Sequence, residues 1–238
     1  MSSTRTAAVA AGVLFLITEV TAMAGLALYQ PVLSDAEYVV GAGADGRVLM
    51  GGLVELILVV AVIGTAVVLY PVLARHDHGV AIGYVCGRLL EAAVITVGII
   101  SVLSVVTLRQ DLAGTAGQDN PALVTVGKSL VAIHDWTFLL GPNFILGANS
   151  LLLASLMHRS RLVPRLIAVI GLAGGALICV SATAVLFGLY DQISVWGSIA
   201  ALPVFVWEVS LAVYLIVKGF MPSRDTSAAE PRTEPSVA

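Results

Sequence analysis

The chain has 238 residues, 58% of them hydrophobic and 11% charged, against roughly 25% charged in a soluble globular domain. A net charge of −3 and a pI near 5.7 leave no basic face, so no nucleic-acid partner is expected. Its two cysteines, Cys86 and Cys179, fall in apolar runs and read as small packing residues rather than a disulfide or metal pair.

Long apolar runs recur, and the mean hydropathy is +0.99. A bilayer core takes about 20 apolar residues per helix. Six segments reach that length, at about 7–29, 48–74, 80–107, 130–157, 164–188 and 196–219. Polar or helix-breaking stretches separate them. Ser34-Asp35-Ala36-Glu37 and Gly43-Ala44-Asp45-Gly46 follow the first span, and Arg75-His76-Asp77-His78-Gly79 the second. Gln118-Asp119-Asn120-Pro121 follows the third, and His158-Arg159-Ser160-Arg161 ends the fourth. Pro164 sits where a proline suits the first turn of the fifth helix. The expected fold is all-α: a six-helix integral membrane bundle over 1–221, with a disordered tail over 222–238 rich in Pro, Ser, Thr and charge.

Orientation follows from the Lys and Arg of short loops. Arg5, Arg75, Arg159, Arg161, Arg165, Lys218, Arg224 and Arg232 collect on one side; Arg47, Arg109 and Lys128 lie on the other. Both termini are therefore expected in the cytoplasm, with the protein multi-pass in a plasma membrane. Arg5 and Ala22-Met23-Ala24 also imitate a cleavable signal peptide, but Glu19 interrupts the apolar run just before the would-be cleavage site.

Charged groups at the bilayer centre cost about 2.5–3.5 kcal/mol each on insertion scales. The spans nevertheless carry Glu19, Glu55, Arg88, Glu91, His134, Asp135, Asn143, Asn149 and Glu208. At 1.5 Å per residue, Glu19, Glu91 and Glu208 come near the midplane, while Glu55, His134 and Asp135 lie toward the outer end. Tyr84, Arg88 and Glu91 share one face of the third helix, and Arg88 can pair with Glu91 at i, i+3. Gly51 and Gly52 are expected to make room beside Glu55. Gly141-Pro142 predicts a kink that frees backbone carbonyls, with Asp135, Pro142 and Asn149 on one face. Pro203 precedes Trp207 and Glu208 by one turn. The fifth helix has only Ser181 and Thr183 as polar candidates and is expected to pack outside the site.

Each group also has a structural reading. Arg88–Glu91 can be an ion pair that ties helices together. His134 and Asp135 can sit at the outer interface, and Asn143 and Asn149 can join helices by hydrogen bonds. His76 and His78 belong to a loop with nothing near to complete a metal site. No phosphate-binding glycine loop, zinc-protease helix or paired-cysteine motif occurs. No metal or cofactor is expected.

A set of short motifs resembles a known family. They are Gly52-Leu-Val-Glu55-Leu with Leu69-Tyr70-Pro71, Arg88-Leu-Leu-Glu91-Ala92-Ala93, and Gly141-Pro142-Asn143 before Leu151-Leu-Leu. Val163-Pro164-Arg165, Trp207-Glu208 and Lys218-Gly219 complete the set. Together they resemble a family of bacterial six-helix membrane proteins known as domain of unknown function 4386, over about residues 5–220. The resemblance implies a fold and no activity.

Three functions fit the residues. An intramembrane acid–base enzyme, terpene-cyclase-like, would act on an isoprenoid or other lipid-like substrate. Its acid and base would be Glu91 and Glu208, with Glu55, Asp135 and Glu19 as supporting carboxyls. Arg88, His134, Asn143, Tyr84 and Trp207 would line its substrate pocket. A proton-coupled transporter would use the same groups as a relay, although no inverted repeat is evident. A structural or assembly protein would merely satisfy a polar core. The expected partner is a membrane lipid or lipid-like molecule, with a homo-oligomer open. Bulky apolar walls with carboxyls at the bottom would favour the enzyme, and a continuous polar path through both leaflets the transporter.

Overall fold

The structure is a computed structural model that describes residues 3–41, 43–112 and 121–221. The expected tail over 222–238 and the loop residues Gln118, Asp119 and Asn120 lie outside the described residues. Among the described residues seven α-helices run in chain order: α1 Ser3–Ser34, α2 Asp45–Leu73, α3 His78–Leu112, α4 Pro121–Leu139, α5 Leu146–Ser160, α6 Arg165–Leu186 and α7 Val195–Val217. A π-helical turn, Leu140–Ile145, joins α4 to α5, making one continuous stretch from Pro121 to Ser160. Counted so, six helices are long and apolar enough to cross a membrane. The fourth starts at Pro121 rather than near 130, with Thr125 and Ser129 returning their hydroxyls to the carbonyls one turn back in its polar first part.

Neighbours in the chain are neighbours in space. α1 packs on α2, α2 on α3, α3 on α4 and α5, α5 on α6, α6 on α7, and α7 returns onto α1. The result is a ring of helices. Its closure depends on small residues: a Cβ at Gly12 would stand 2.6 Å from the Ala212 carbonyl oxygen, and one at Gly174 2.7 Å from the Val204 amide nitrogen. Side chains at those points would push α1 from α7 and α6 from α7.

The ends of α1 and α7 meet. Arg5 donates to the terminal carbonyls of Leu215 and Ile216 at 3.1 and 2.7 Å, in the last turn of α7 where helix carbonyls run short of backbone donors. This is the arginine-rich end of the bundle, where α5 stops at Arg161 in the left-handed conformation (φ 55°) and Pro164 precedes α6. A large buried cluster fills it, with Phe15, Leu69, Leu73, Tyr84, Met157, Trp207 and Leu211 at its centre.

The opposite end is filled on one side alone. Tyr29, Val32, Tyr38, Val39, Val48, Val102, Val105 and Val106 pack between α1, α2, α3 and the α1–α2 loop. That loop is strapped down by Tyr38, whose hydroxyl donates to Asp45 at 2.9 Å, and by Arg109, which pairs with the same carboxylate. Burial, then the neighbouring Asp45 carboxylate, holds the Tyr38 phenol above its usual range. Between α1, α4 and the α6–α7 connection, the ring stays open.

Candidate functional site

Arg88 is the organising residue. It is 2% exposed and reaches from α3 across the ring interior. Its Nη1 donates to Glu91 Oε1 and Oε2 at 3.3 and 3.2 Å, and its Nη2 to Glu208 Oε1 on α7 at 3.0 Å. Its Nε donates to the Tyr84 hydroxyl at 3.1 Å. The guanidinium carbon lies 5.5 Å from the ring centres of both Phe15 and Tyr84, so its remaining surface meets aromatic faces. Such enclosure is what a cation inside a membrane requires.

Glu91 is equally committed. Beyond Arg88 it accepts from Asn149 Nδ2 on α5 at 2.9 Å. Asn149 reaches it because position 87 is glycine; a Cβ there would collide with the Asn149 amide oxygen. Glu208 gives one oxygen to Arg88, and Glu19 on α1 lines the same cavity. One arginine thus pairs with two carboxyls, and a third, Glu19, lines the same space.

These groups form the floor of a cavity of about 240 Å³. Glu19, Arg88, Glu91 and Glu208 lie at its base, and Asn143 lies at its side. Its walls are apolar, with Met23 and Leu26 from α1, Leu58 and Val62 from α2, Phe138 from α4 and Phe205 from α7. Beneath the floor, toward the arginine-rich end, lies the packed cluster around Trp207 and Leu211.

A second polar group sits beside it. Glu55 on α2 is buried next to His134 and Tyr29. The Tyr29 ring meets His134 edge-on at 5.6 Å, and His134 stacks on Phe138 at 6.1 Å. A void of about 20 Å³ between Glu55 and His134 is large enough for one water. It shares Ala22, Leu58, Ile95, Phe138 and Pro142 with the main cavity as walls, so the two hollows adjoin.

The sequence-derived candidates separate accordingly. Glu19, Arg88, Glu91, Asn143 and Glu208 converge on the main cavity, and Glu55 and His134 on its side void. Tyr84 lies behind Arg88, where its hydroxyl holds the guanidinium and contacts Thr65 at 3.5 Å. Trp207 does not face the cavity: it is fully buried against α6, where a Cβ at Gly171 would come 2.5 Å from its ring. Asp135 stands apart, its side chain 65% exposed and 3.4 Å from the ring of His134. Its expected face with Asn149 fails because the π turn at Leu140–Ile145 inserts an extra residue and rotates everything after it. Pro142 produces that turn rather than a simple kink, and Asn143 Nδ2 donates to the freed Phe138 carbonyl at 3.0 Å.

The glycines also differ from expectation. Gly51 makes room for the Tyr29 ring and Gly52 for Leu103; the glycine that clears Glu55 is Gly25 on α1, where a Cβ would stand 2.7 Å from Glu55 Cγ. Tyr29, Thr65 and Phe15 are site residues that sequence reading passes over, since ordinary aromatic and hydroxyl side chains in apolar helices carry no signal of their own.

Residues 10–219 match the family model described as Domain of unknown function (DUF4386). The chain belongs to that family, whose description assigns no activity, and is a multi-pass membrane protein by its six apolar helices. No curated protein and no solved structure matches it.

Proposed function

We propose that this protein is an intramembrane acid–base enzyme acting on an isoprenoid-like hydrocarbon chain held in the main cavity. One observation carries the reading: a cavity with apolar walls ends on a buried floor of three carboxyls and one arginine. The floor backs onto packed core at the arginine-rich end, an arrangement that favours a chamber over a path through both leaflets. The bacterial plasma membrane, with both termini cytoplasmic, completes the reading and puts the cavity's open end outside.

The geometry redistributes roles among the carboxyls. Glu91, held by Arg88 and Asn149, serves as the fixed negative charge. The proton donor is Glu19 or Glu208, both of which line the cavity. Transfer of that proton to one carbon of an alkene uses the π electrons to form a C–H bond and leaves a carbocation at the other carbon. A second alkene of the chain attacks the cation to close a ring. Loss of a neighbouring proton to the carboxylate restores a double bond and regenerates the acid. Atoms and charge balance with no co-reactant, and the net change is an isomerisation. Glu91 would stabilise the cation.

The test is mass spectrometry of lipid extracts from cells with and without the protein. A metabolite difference should appear, and Glu19→Gln or Glu208→Gln should reduce its formation by ~10²–10⁴, the weight of a general acid–base group. Both variants should still purify as folded protein. If both reproduce the wild-type lipid profile, proton transfer at this pair is ruled out and the polar floor is architecture.

A further inference from the structure

Glu55 and His134 are buried ionisable groups that the chemistry of the main cavity leaves unused. They come from α2 and α4, and both line the void of about 20 Å³. Thr137 lines it too, and its hydroxyl donates to the His134 carbonyl at 2.8 Å, leaving its lone pairs able to accept. A void of that size with three polar side chains on its wall suits one bound water. Gly98 on α3 keeps it open: a Cβ there would stand 2.6 Å from Thr137 Oγ1 and 3.6 Å from His134 Cδ2. The Cδ2 edge of the imidazole, which carries Nε2, is thus turned to the void. The other edge faces out, with Nδ1 3.4 Å from Asp135 Oδ1 on a side chain that is 65% exposed. Asp135 stands level with the connecting segments, since it shares one hollow with Asp35 of the α1–α2 loop and another with Asp191 of the α6–α7 connection.

From this geometry we infer that Asp135, His134 and Glu55 form a proton relay through one bound water. It links a buried carboxyl to the medium at the end of the bundle opposite the arginines. A proton passes from Asp135 to Nδ1 while the imidazole releases the one on Nε2 to the water, and the water gives a proton to the Glu55 carboxylate. Asp135, ring and water each gain one proton and lose one, so only Glu55 and the medium change. Rotation of the ring, or the reverse transfer, restores the first tautomer. The charge on Glu55 then follows the pH of that one side. The titratable groups facing the imidazole are Asp135 from its own helix, Glu55 from α2 and Tyr29 from α1, which meets the ring edge-on at 5.6 Å. From α3, Ile95 and Gly98 line the void. The relay uses none of the carboxyls on the floor of the main cavity and stands apart from the reading of that cavity as an enzyme site.

The experiment is time-resolved infrared spectroscopy of the full chain in phosphatidylcholine nanodiscs after a laser pulse releases protons from a caged acid. The carboxylic carbonyl band of Glu55 is the one missing in Glu55→Gln, and its rise times the arrival of the proton. In the wild type that band should grow after the pulse. His134→Phe keeps a ring against Tyr29 and Phe138 but has no nitrogen, and should slow the rise about a hundredfold, the lower end of what a positioned acid–base group contributes. Gly98→Ala fills the water site without touching either titrating group and should slow it as well. Asp135→Asn removes the exposed end of the relay and should slow it several-fold. A variant that merely loosened the fold would admit water and speed the rise, so slowing is the mark of the relay. Where His134→Phe or Gly98→Ala does not fold, Asp135→Asn decides, because its side chain is exposed. A Glu55 band that never responds to the pulse, or an unchanged rise in any folded variant of the three, would overturn the relay.

Discussion

At the scale of single residues, Arg88 makes the polar core obligatory. Breaking one side of a buried ion pair costs about 3–5 kcal/mol, whereas removing both sides can be neutral. Were Arg88–Glu91 an isolated pair, Arg88→Met with Glu91→Gln would recover stability fully. Arg88 also holds Glu208 at 3.0 Å, so the double variant should recover only part of the loss, and the added change Glu208→Gln should recover more. Thermal unfolding in detergent, followed by circular dichroism, measures all three. Full recovery in the double variant would mean that Glu208 draws no stability from Arg88.

The glycines supply a second test at the same scale, since each clears one neighbour. At Gly25 a Cβ would press on Glu55 at 2.7 Å, while at Gly46 it would meet nothing within 4 Å. Overpacking a buried site costs typically ~1–3 kcal/mol, so Gly25→Ala should lower the unfolding midpoint. Gly46→Ala, at the start of α2, should leave it unchanged or raise it through helix propensity. Equal effects would show that Gly25 does not position Glu55.

Among the elements, the π turn at Leu140–Ile145 decides most about the site. In an unbroken α-helix of 3.6 residues per turn, Leu152 would share the face of His134 about five turns on. Instead Asn149 and Leu153 are buried, which is what one inserted residue does to helical register. The turn thereby aims His134 at Glu55 from one half of the span and Asn149 at Glu91 from the other. Its freed carbonyl depends on Asn143. Replacing Asn143 by Leu would leave the Phe138 carbonyl without that donor, at a cost of about 1–3 kcal/mol for an unsatisfied buried group. Ser150→Ala is the comparison, because its hydroxyl is buried without a partner and should be lost without penalty. Thermal unfolding of the two variants should separate them; identical midpoints would remove Asn143 as the support of the turn.

For the whole molecule, the telling feature is asymmetry along the bundle axis. Arg5 ties the start of α1 to the end of α7, which puts the two described chain ends on one face, and the packed cluster fills the interior there. The other end opens between α1, α4 and the α6–α7 connection, whose Phe187, Leu189, Ile193 and Trp196 are exposed and suit a membrane interface. With the arginines of short loops inside, a reporter fused after Arg224 should read cytoplasmic and one inserted at Asp119 should read external. A cytoplasmic signal at Asp119 with an external one after Arg224 would invert the cavity relative to the membrane, so its substrate would enter from the inner side; cytoplasmic signals at both would overturn the six-span arrangement.

Composition and run length alone determined the class of fold: chains this apolar have nowhere to place their surface but lipid, and a helix satisfies its own backbone there. The same logic singled out the ionisable residues, because a charge costs so much in a bilayer that its presence is already a statement. Spacing within one helix also sufficed for Arg88 and Glu91. The partners on other helices were not legible. That Glu208 rather than Glu55 meets Arg88, that Gly25 rather than Gly51 clears Glu55, and that Trp207 is core depend on helix rotation about each axis, which a nearly uniformly apolar surface does not encode. Asp135 shows the same limit most sharply. Its neighbour His134 turns inward and it turns out, and the face each shares with Asn149 depends on one extra residue in a π turn. Periodicity cannot see that residue; only the packed helices, which settle where the freed carbonyl finds its donor, decide it.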